Sequence, residues 1–328
     1  MRRHQFETYL DKVFDFSARV QALPDGRRFP QHSGKKIFDA VFLGAACQFP
    51  ALHRIETECR QGVLGKRIGA LSKDTMRYAL ARYDRDALLA LSCALSRQCK
   101  RNGLFRSPWT RGRIVAAVDG IEICSSFVRS CEDCMERTVH HVVDGELREQ
   151  IQYYHRISVV TVVSSAFPIP LGIRFQKNGE TEVACSLALL KELREQLGRR
   201  FLDLLVADAL YLQAPFIAAV ETLGLDWVIN LKENQPELLA EARRILLGEG
   251  SANPQELQLW HPLLFSSHPP PALLQPSRLS LSSRNSETAR LTAQFHWNQP
   301  INYSLHISLR NRWGCKGRAL WEVKGLLE

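Results

Sequence analysis

Two aspartates carry the strongest chemical signal in the sequence. Asp119 follows the apolar run Ile114-Val-Ala-Ala-Val and precedes Ile121 and Ile123. An ionised carboxylate buried in such a run is costly unless a cation or strong donors compensate it. Asp208 follows Leu204-Leu-Val-Ala, which places it at the carboxyl edge of a strand, where α/β sheets bind ligands. A fold that sets these two strands side by side makes the carboxylates converge. Converging carboxylates are hard oxygen ligands suited to Mg²⁺ or Mn²⁺. Two such ions about 3.5–4 Å apart activate a water or a 3′-hydroxyl and stabilise the leaving oxygen in phosphodiester transfer. Taken singly, each residue also has an ordinary structural role. Asp119-Gly120 fits a turn, and Asp208 fits the cap of the next helix.

A second group is made of sulfur. Cys131-Glu-Asp-Cys134 is a C-x-x-C, with Cys124 seven residues earlier and His140-His141 shortly after. Three thiols and an imidazole suit a tetrahedral structural Zn²⁺ that pins the loop between the first two strands. The alternative is a set of reduced thiols in a loop, because one C-x-x-C without a spaced second pair is a weak signal. No thioredoxin-like βαβ pattern surrounds the pair, which disfavours a redox role.

The elements that must position these groups fall into two kinds. Up to about residue 113 the pattern is helical. Phe38, Val41, Phe42 and Ala45 recur at helical spacing, the mark of an amphipathic helix. Ser72 suits the N-cap of a short helix, and Asp84 or Asp86 opens another with Leu88, Leu91 and Leu95 on one face. Arg97, Lys100 and Arg101 fall in its last turn, favourable at the negative end of the dipole, and Asn102-Gly103 stops it. The pair reads either as a helix-turn-helix DNA reader or as an ordinary helical hairpin.

From residue 114 strands take over. The candidates are Ile114–Ile123, Tyr153–Val163, Ile169–Phe175, Phe201–Asp208 and Trp227–Lys232. Helices are expected over Glu182–Leu197, Pro215–Leu223 and Pro236–Leu247. Three strands followed by alternating helices and strands imply a sheet that is partly parallel. The fold class is therefore α/β, a ribonuclease-H-like mixed sheet with flanking helices, preceded by an all-helical region.

Charge divides along the same line. The 328-residue chain carries a net charge of +9. Residues 1–113 hold 22 Lys/Arg against 10 Asp/Glu, residues 114–250 hold 13 against 20, and residues 251–328 hold 8 against 4. A basic front suits a polyanion and an acidic middle suits carboxylate chemistry. Six positive residues and no acid lie between Arg97 and Arg113. With Phe105 and Trp109 between them they suit a phosphate-tracking linker. No apolar run reaches membrane-spanning length and the first residues lack a secretory h-region. The nine cysteines then read as cytosolic thiols or metal ligands, with cytoplasmic, nucleoid-associated localisation expected.

Four segments together resemble the bacterial insertion-sequence transposases of the DDE class. They are Ala117-Val-Asp-Gly-Ile-Glu, Tyr153-Tyr-His-Arg, Val206-Ala-Asp-Ala-Leu-Tyr and Leu231-Lys-Glu-Asn, in the family's order and spacing over about residues 35–250. The resemblance implies a ribonuclease-H-like core and a helical DNA-binding front. It also implies two divalent metals held by Asp, Asp and Glu, with transposon-end DNA as partner and assembly of several copies on that DNA. It makes Asp119 the first acid and Asp208 the second, and sets Lys232 near the DNA backbone.

The third acid is the difficulty. Residues 251–328 hold no Asp, 7 of the 15 prolines and 10 serines, and read as a degenerate tail without sustained period. Aligned on Arg312-Trp313, the family's Glu position falls on Lys316, with Glu322 as the substitute. The sequence thus divides into a basic helical region (1–113), a catalytic core (114–250) and a degenerate tail (251–328), as in a truncated or frameshifted element. Three functions stay open: impaired metal-dependent strand transfer, a non-catalytic DNA-binding protein derived from a transposase, and a metal-dependent nuclease.

Overall fold

Local side-chain chemistry starts the helices where the sequence places them. Ser33, Ser72, Asp84 and Thr181 accept hydrogen bonds from the backbone N–H groups of Lys36, Thr75, Ala87 and Ala184. Each satisfies a donor that the first helical turn leaves without a partner. The computed structural model describes residues 3–107, 110, 112–143, 146–240, 278–285, 288–297, 299–313 and 319–325, the last four stretches as backbone. The chain forms two units, 1–104 and 105–328.

The first unit holds α1 (Arg3–Phe14), α2 (Phe16–Gln21), α3 (Gly34–Ala46), α4 (Leu52–Arg60), α5 (Gly65–Ile68), α6 (Lys73–Leu80) and α7 (Arg85–Arg101). It packs around two apolar clusters. Ile37 and Ala40 of α3 meet Ile55 and Cys59 of α4, Ile68 of α5, and Met76 and Ala79 of α6. Leu91 and Leu95 of α7 meet Phe16 and Val20 of α2 and Phe38 and Phe42 of α3. So α6 belongs chiefly to α3 and α4, and the expectation of a helix pair formed by α6 and α7 is corrected. Four residues separate them in sequence, but their apolar faces serve different clusters.

The second unit is built on one mixed sheet. Its strands are β1 (Val115–Ser126), β2 (Met135–Val143), β3 (Glu146–Val162), β4 (Ile169–Phe175), β5 (Leu204–Ala207), β6 (Asp226–Leu231), β7 (Arg278–Asn285), β8 (Thr288–Trp297), β9 (Gln299–Trp313) and β10 (Ala319–Gly325). They run in the order β10-β9-β8-β7-β6-β5-β1-β3-β2, with β4 also pairing β3. β1, β3 and β4 form an antiparallel set, and β5 and β6 run parallel to β1. Helices α8 (Glu182–Leu197) and α9 (Ala214–Thr222) flank the sheet. This is the ribonuclease-H-like arrangement expected. Cys185, Leu189, Leu190 and Leu193 of α8 pack into the core with Val160, Val162 and Leu171.

Two sequence expectations change here. β2 is an added strand, paired with the first half of β3. The stretch 251–328, expected to lack regular elements, contributes β7 to β10 within 278–325. Alternating residues such as Ile301, Tyr303, Leu305, Ile307 and Leu309 carry a period-two signal that the proline and serine content obscured. The helix expected from Pro236 is described as far as Ala240; its remainder, with Trp109 and Lys316, lies outside the described residues.

Candidate active site

β1 is buried from Val115 to Val118 except for a half-buried Ala117, and it becomes exposed at Asp119. The change comes where β5 stops. The β1/β5 register is Val115↔Leu204, Ala116↔Leu205 and Ala117↔Val206. Two further residues on each strand bring Asp119 level with Asp208, one strand spacing of roughly 4.8 Å away. Parallel strands in register present equivalent positions to the same face, so the two aspartates share one edge of the sheet. The expectation that Asp119 is buried is corrected. It is exposed, where the β1/β5 pairing has ended two residues earlier at Ala117↔Val206 and leaves that part of β1 without its neighbour.

Each carboxylate is held by local backbone. Asp119 Oδ1 accepts from the Gly120 N–H at 2.8 Å, and Asp208 Oδ1 accepts from the Leu210 N–H at 2.8 Å. Asp208 thus caps the short 3₁₀ turn Ala209–Tyr211, so its capping role and its place at the edge coexist. Among the described residues no Lys or Arg forms a salt bridge with either carboxylate. Two neighbouring, exposed carboxylates without a cationic partner suit a divalent cation. A bound ion there supplies Lewis-acid polarisation of a phosphate and an activated oxygen nucleophile. The side chains themselves fix the edge and concentrate negative charge on it.

A polar network behind the pair escaped the sequence reading. Glu182, at the start of α8, lies so close to Gly120 that a Cβ there would come within 2.2 Å of Glu182 Cδ. The Glu182 carboxylate pairs with Arg156 of β3 at 3.0 Å and accepts from the Tyr211 hydroxyl at 3.0 Å. Tyr211 is fully buried and shares a hydrogen bond with Ser186 at 2.9 Å, and Ser186 bonds Ser158 at 2.9 Å. Burial pushes the Tyr211 hydroxyl above its ordinary pKa; the Ser186 hydrogen bond opposes this, and the charges of Glu182 and Asp119 reinforce it. The network joins β1 beside Asp119 to the turn that follows Asp208. Glycine directly after Asp119 was the available signal, since Gly in a strand marks a close approach.

Lys232 lies exposed one residue beyond β6, on the same edge. The loop after it is tied to the turn after Asp208, with Asn234 Nδ2 donating to the Ala209 carbonyl at 2.6 Å and Gln235 Nε2 to the Leu212 carbonyl at 3.0 Å. Glu322 is not brought to the pair. It sits on β10, six strand spacings from β1, on the order of 29 Å. Arg97, Lys100 and Arg101 share a face of α7 by their spacing. Phe105, read as part of a phosphate-tracking linker, is instead 1% exposed and packs edge-on against Phe201.

The cysteines separate into two kinds. Cys93 is fully buried in α7, and burial pushes its thiol up to about 11, so it behaves as an inert apolar residue. Cys131 and Cys134 instead have their sulfurs 3.6 Å apart, at 3.2 and 3.3 Å from His155 Nε2. The Cys131 N–H draws the Cys134 thiol downward, yet burial and the charges of Cys131 and Cys124 leave it raised overall. His155 replaces the expected His140-His141. His140 lies within β2 and pairs with Glu149 at 3.5 Å, directed along the β2/β3 ladder rather than toward the thiols.

Residues 138–297 match the family model described as a transposase DDE domain. That stretch, just under half of the chain, is similar to the transposase DDE domain. None of the curated proteins compared with the chain matches. The family match begins within β2 and includes Asp208, while Asp119 lies on the strand before it. DDE transposases carry out DNA recombination at transposon ends with divalent metal ions, generally Mg²⁺ or Mn²⁺. Among the described residues no helix is long and apolar enough to cross a membrane.

Proposed function

We propose that this protein binds transposon-end DNA through its basic helical unit and presents Asp119 and Asp208 as the metal-holding acids for phosphodiester cleavage. The observation that supports this reading is the β1/β5 register, whose last pair, Ala117↔Val206, lies two residues before each acid; neither acid forms a salt bridge among the described residues. Glu182 acts as a positioning residue for that edge. Arg156 and Tyr211 hold its carboxylate, so it anchors β1 and the turn after Asp208. Lys232 on the same edge suits a phosphate contact, and Arg97, Lys100 and Arg101 suit others.

Strand transfer by this chain is impaired in the same reading. Three-acid catalysis needs a third free carboxylate. Glu182 is neutralised by Arg156, and Glu322 stands far from the pair. Removing one member of a catalytic unit costs orders of magnitude in rate.

The test combines duplex DNA carrying the sequences that flank the gene with the full chain and Mn²⁺. Binding should weaken steeply as salt rises, because phosphate neutralisation releases counterions. Arg97→Glu/Lys100→Glu/Arg101→Glu should weaken it for every sequence tried. Slow metal-dependent nicking without joining is the expected chemistry. Failure to bind DNA at low salt overturns the reading. Robust joining that is lost in Glu322→Gln overturns the impairment and makes Glu322 the third acid.

A further inference from the structure

We propose that Cys124, Cys131, Cys134 and His155 form a closed tetrahedral zinc site that staples the β1–β2 loop onto β3. Three of the four ligand atoms are already gathered. Cys131 Sγ, Cys134 Sγ and His155 Nε2 lie within 4.8 Å of one another, the one such group among the described residues. Zinc bound about 2.3 Å from sulfur and about 2.0–2.1 Å from nitrogen at tetrahedral angles separates its ligands by roughly 3.5–3.8 Å. The observed 3.6, 3.2 and 3.3 Å need adjustments of a few tenths of an ångström, within the reach of side-chain rotation.

The fourth ligand follows from the ladder. Cys124 of β1 is the direct cross-strand partner of His155 of β3, and opposed residues in an antiparallel pair project to the same face. On the other side of β3, Met135 pairs with Tyr154, so one more step sets Cys134 level with His155. Cys124, His155 and Cys134 therefore form one row across three adjacent strands, and Cys131 closes it from the loop. The register shift in β1 between Glu122 and Cys124 is what makes Cys124, rather than Ile123, the partner of His155. A bulge commonly serves to re-aim a side chain in this way.

Backbone geometry supports a bound thiolate. The Cys131 N–H donates to Cys134 Sγ at 3.2 Å, and the Cys134 N–H closes the turn on the Cys131 carbonyl at 3.1 Å. Cys134 is 8% exposed and His155 half-buried, while Cys124 and Cys131 lie at the surface, so an ion can enter from the loop side. As the ion binds, the three thiols release their protons to solvent, and the imidazole donates through Nε2 in its neutral form. β2 is exposed along most of its length, so a metal clip at its start supplies anchoring that apolar packing does not.

The full chain, purified under reducing conditions without added chelator, should carry about one zinc, as a single site of this kind would. Replacement by Co²⁺ should give the absorption of a tetrahedral thiolate-bound ion. His155→Ala should remove that spectrum and His155→Cys should restore it with a shifted charge-transfer band, while His140→Ala should leave it unchanged. Cys124→Ser should weaken zinc binding by roughly 10-fold or more. Protein that carries no zinc and gives no tetrahedral cobalt spectrum overturns the site. So does a spectrum that survives His155→Ala, or a Cys131–Cys134 disulfide found in the reduced preparation. Unchanged affinity in Cys124→Ser overturns the closed four-ligand arrangement.

Discussion

Asp119 and Cys124 stand five residues apart on β1, about 17 Å in an extended strand, yet they belong to opposite kinds of site. Asp119 joins Asp208 at an open edge, with its carboxylate exposed and bonded locally to the Gly120 N–H. Cys124 joins a row of soft ligands packed at the mouth of a loop, with Cys134 nearly buried. Hard, exposed oxygens favour an exchangeable ion that must also meet a phosphate. Soft sulfurs joined by an imidazole favour a thiophilic ion that stays. In the proposed reading one strand serves chemistry at its middle and architecture at its end. The device that separates the two is simple: β5 stops before Asp119, whereas β2 and β3 continue past Cys124.

If this division holds, disturbing one site leaves the other intact. The largest effect is expected from Cys134→Ser, which removes the least exposed thiol and should lower zinc affinity by roughly 10–100-fold or more. Mn²⁺ binding at the carboxylate edge should stay within experimental error, as titration of the same preparation would show. Loss of both together would break the division and make the sheet arm one cooperative metal unit.

Gly120→Ala should come next. The new Cβ meets the Glu182 carboxylate, and overpacking of this kind costs about 1–3 kcal/mol. Urea unfolding should register that loss, and zinc content should stay unchanged. Full stability would mean that Glu182 swings away freely and does not fix β1. Tyr211→Phe is the smallest change. It leaves the ring in the core but removes the hydroxyl between Ser186 and Glu182, for about 1 kcal/mol. Arg156 should keep Glu182 in place, so Mn²⁺ affinity should fall less than in Gly120→Ala.

The sequence exposed the parts of this molecule that rest on local chemistry. α8 runs Glu182–Leu197 as expected, since Thr181 caps it, Gly198 ends it in a left-handed conformation, and apolar residues recur along one side. β1, β4, β5 and β6 were legible as apolar or β-branched runs, and β3 only from Tyr153 onward, its first half, 146–152, being mostly polar. β2 was not, because Met135-Glu-Arg-Thr-Val-His-His-Val-Val lacks a sustained apolar run and forms through its ladder with β3. His155 was hidden for the same reason: its link to Cys131 spans 24 residues and depends on register. The adjacency of β1 and β5 was legible as fold order, but the exposure of Asp119 was not, since it depends on how far β5 runs beside β1. In β8 and β9 the alternation was present in the text, and composition was given more weight than period.

The central claim is that Asp119 and Asp208 form one divalent-metal site. Mn²⁺ binding to the full chain, followed by the loss of the free-ion electron paramagnetic signal, tests it most directly. Asp119→Asn and Asp208→Asn should each lower affinity by roughly 10–100-fold or more, the double variant should lower it little further, and Glu322→Gln should match the unaltered protein. Wild-type Mn²⁺ affinity in both single variants would contradict the account.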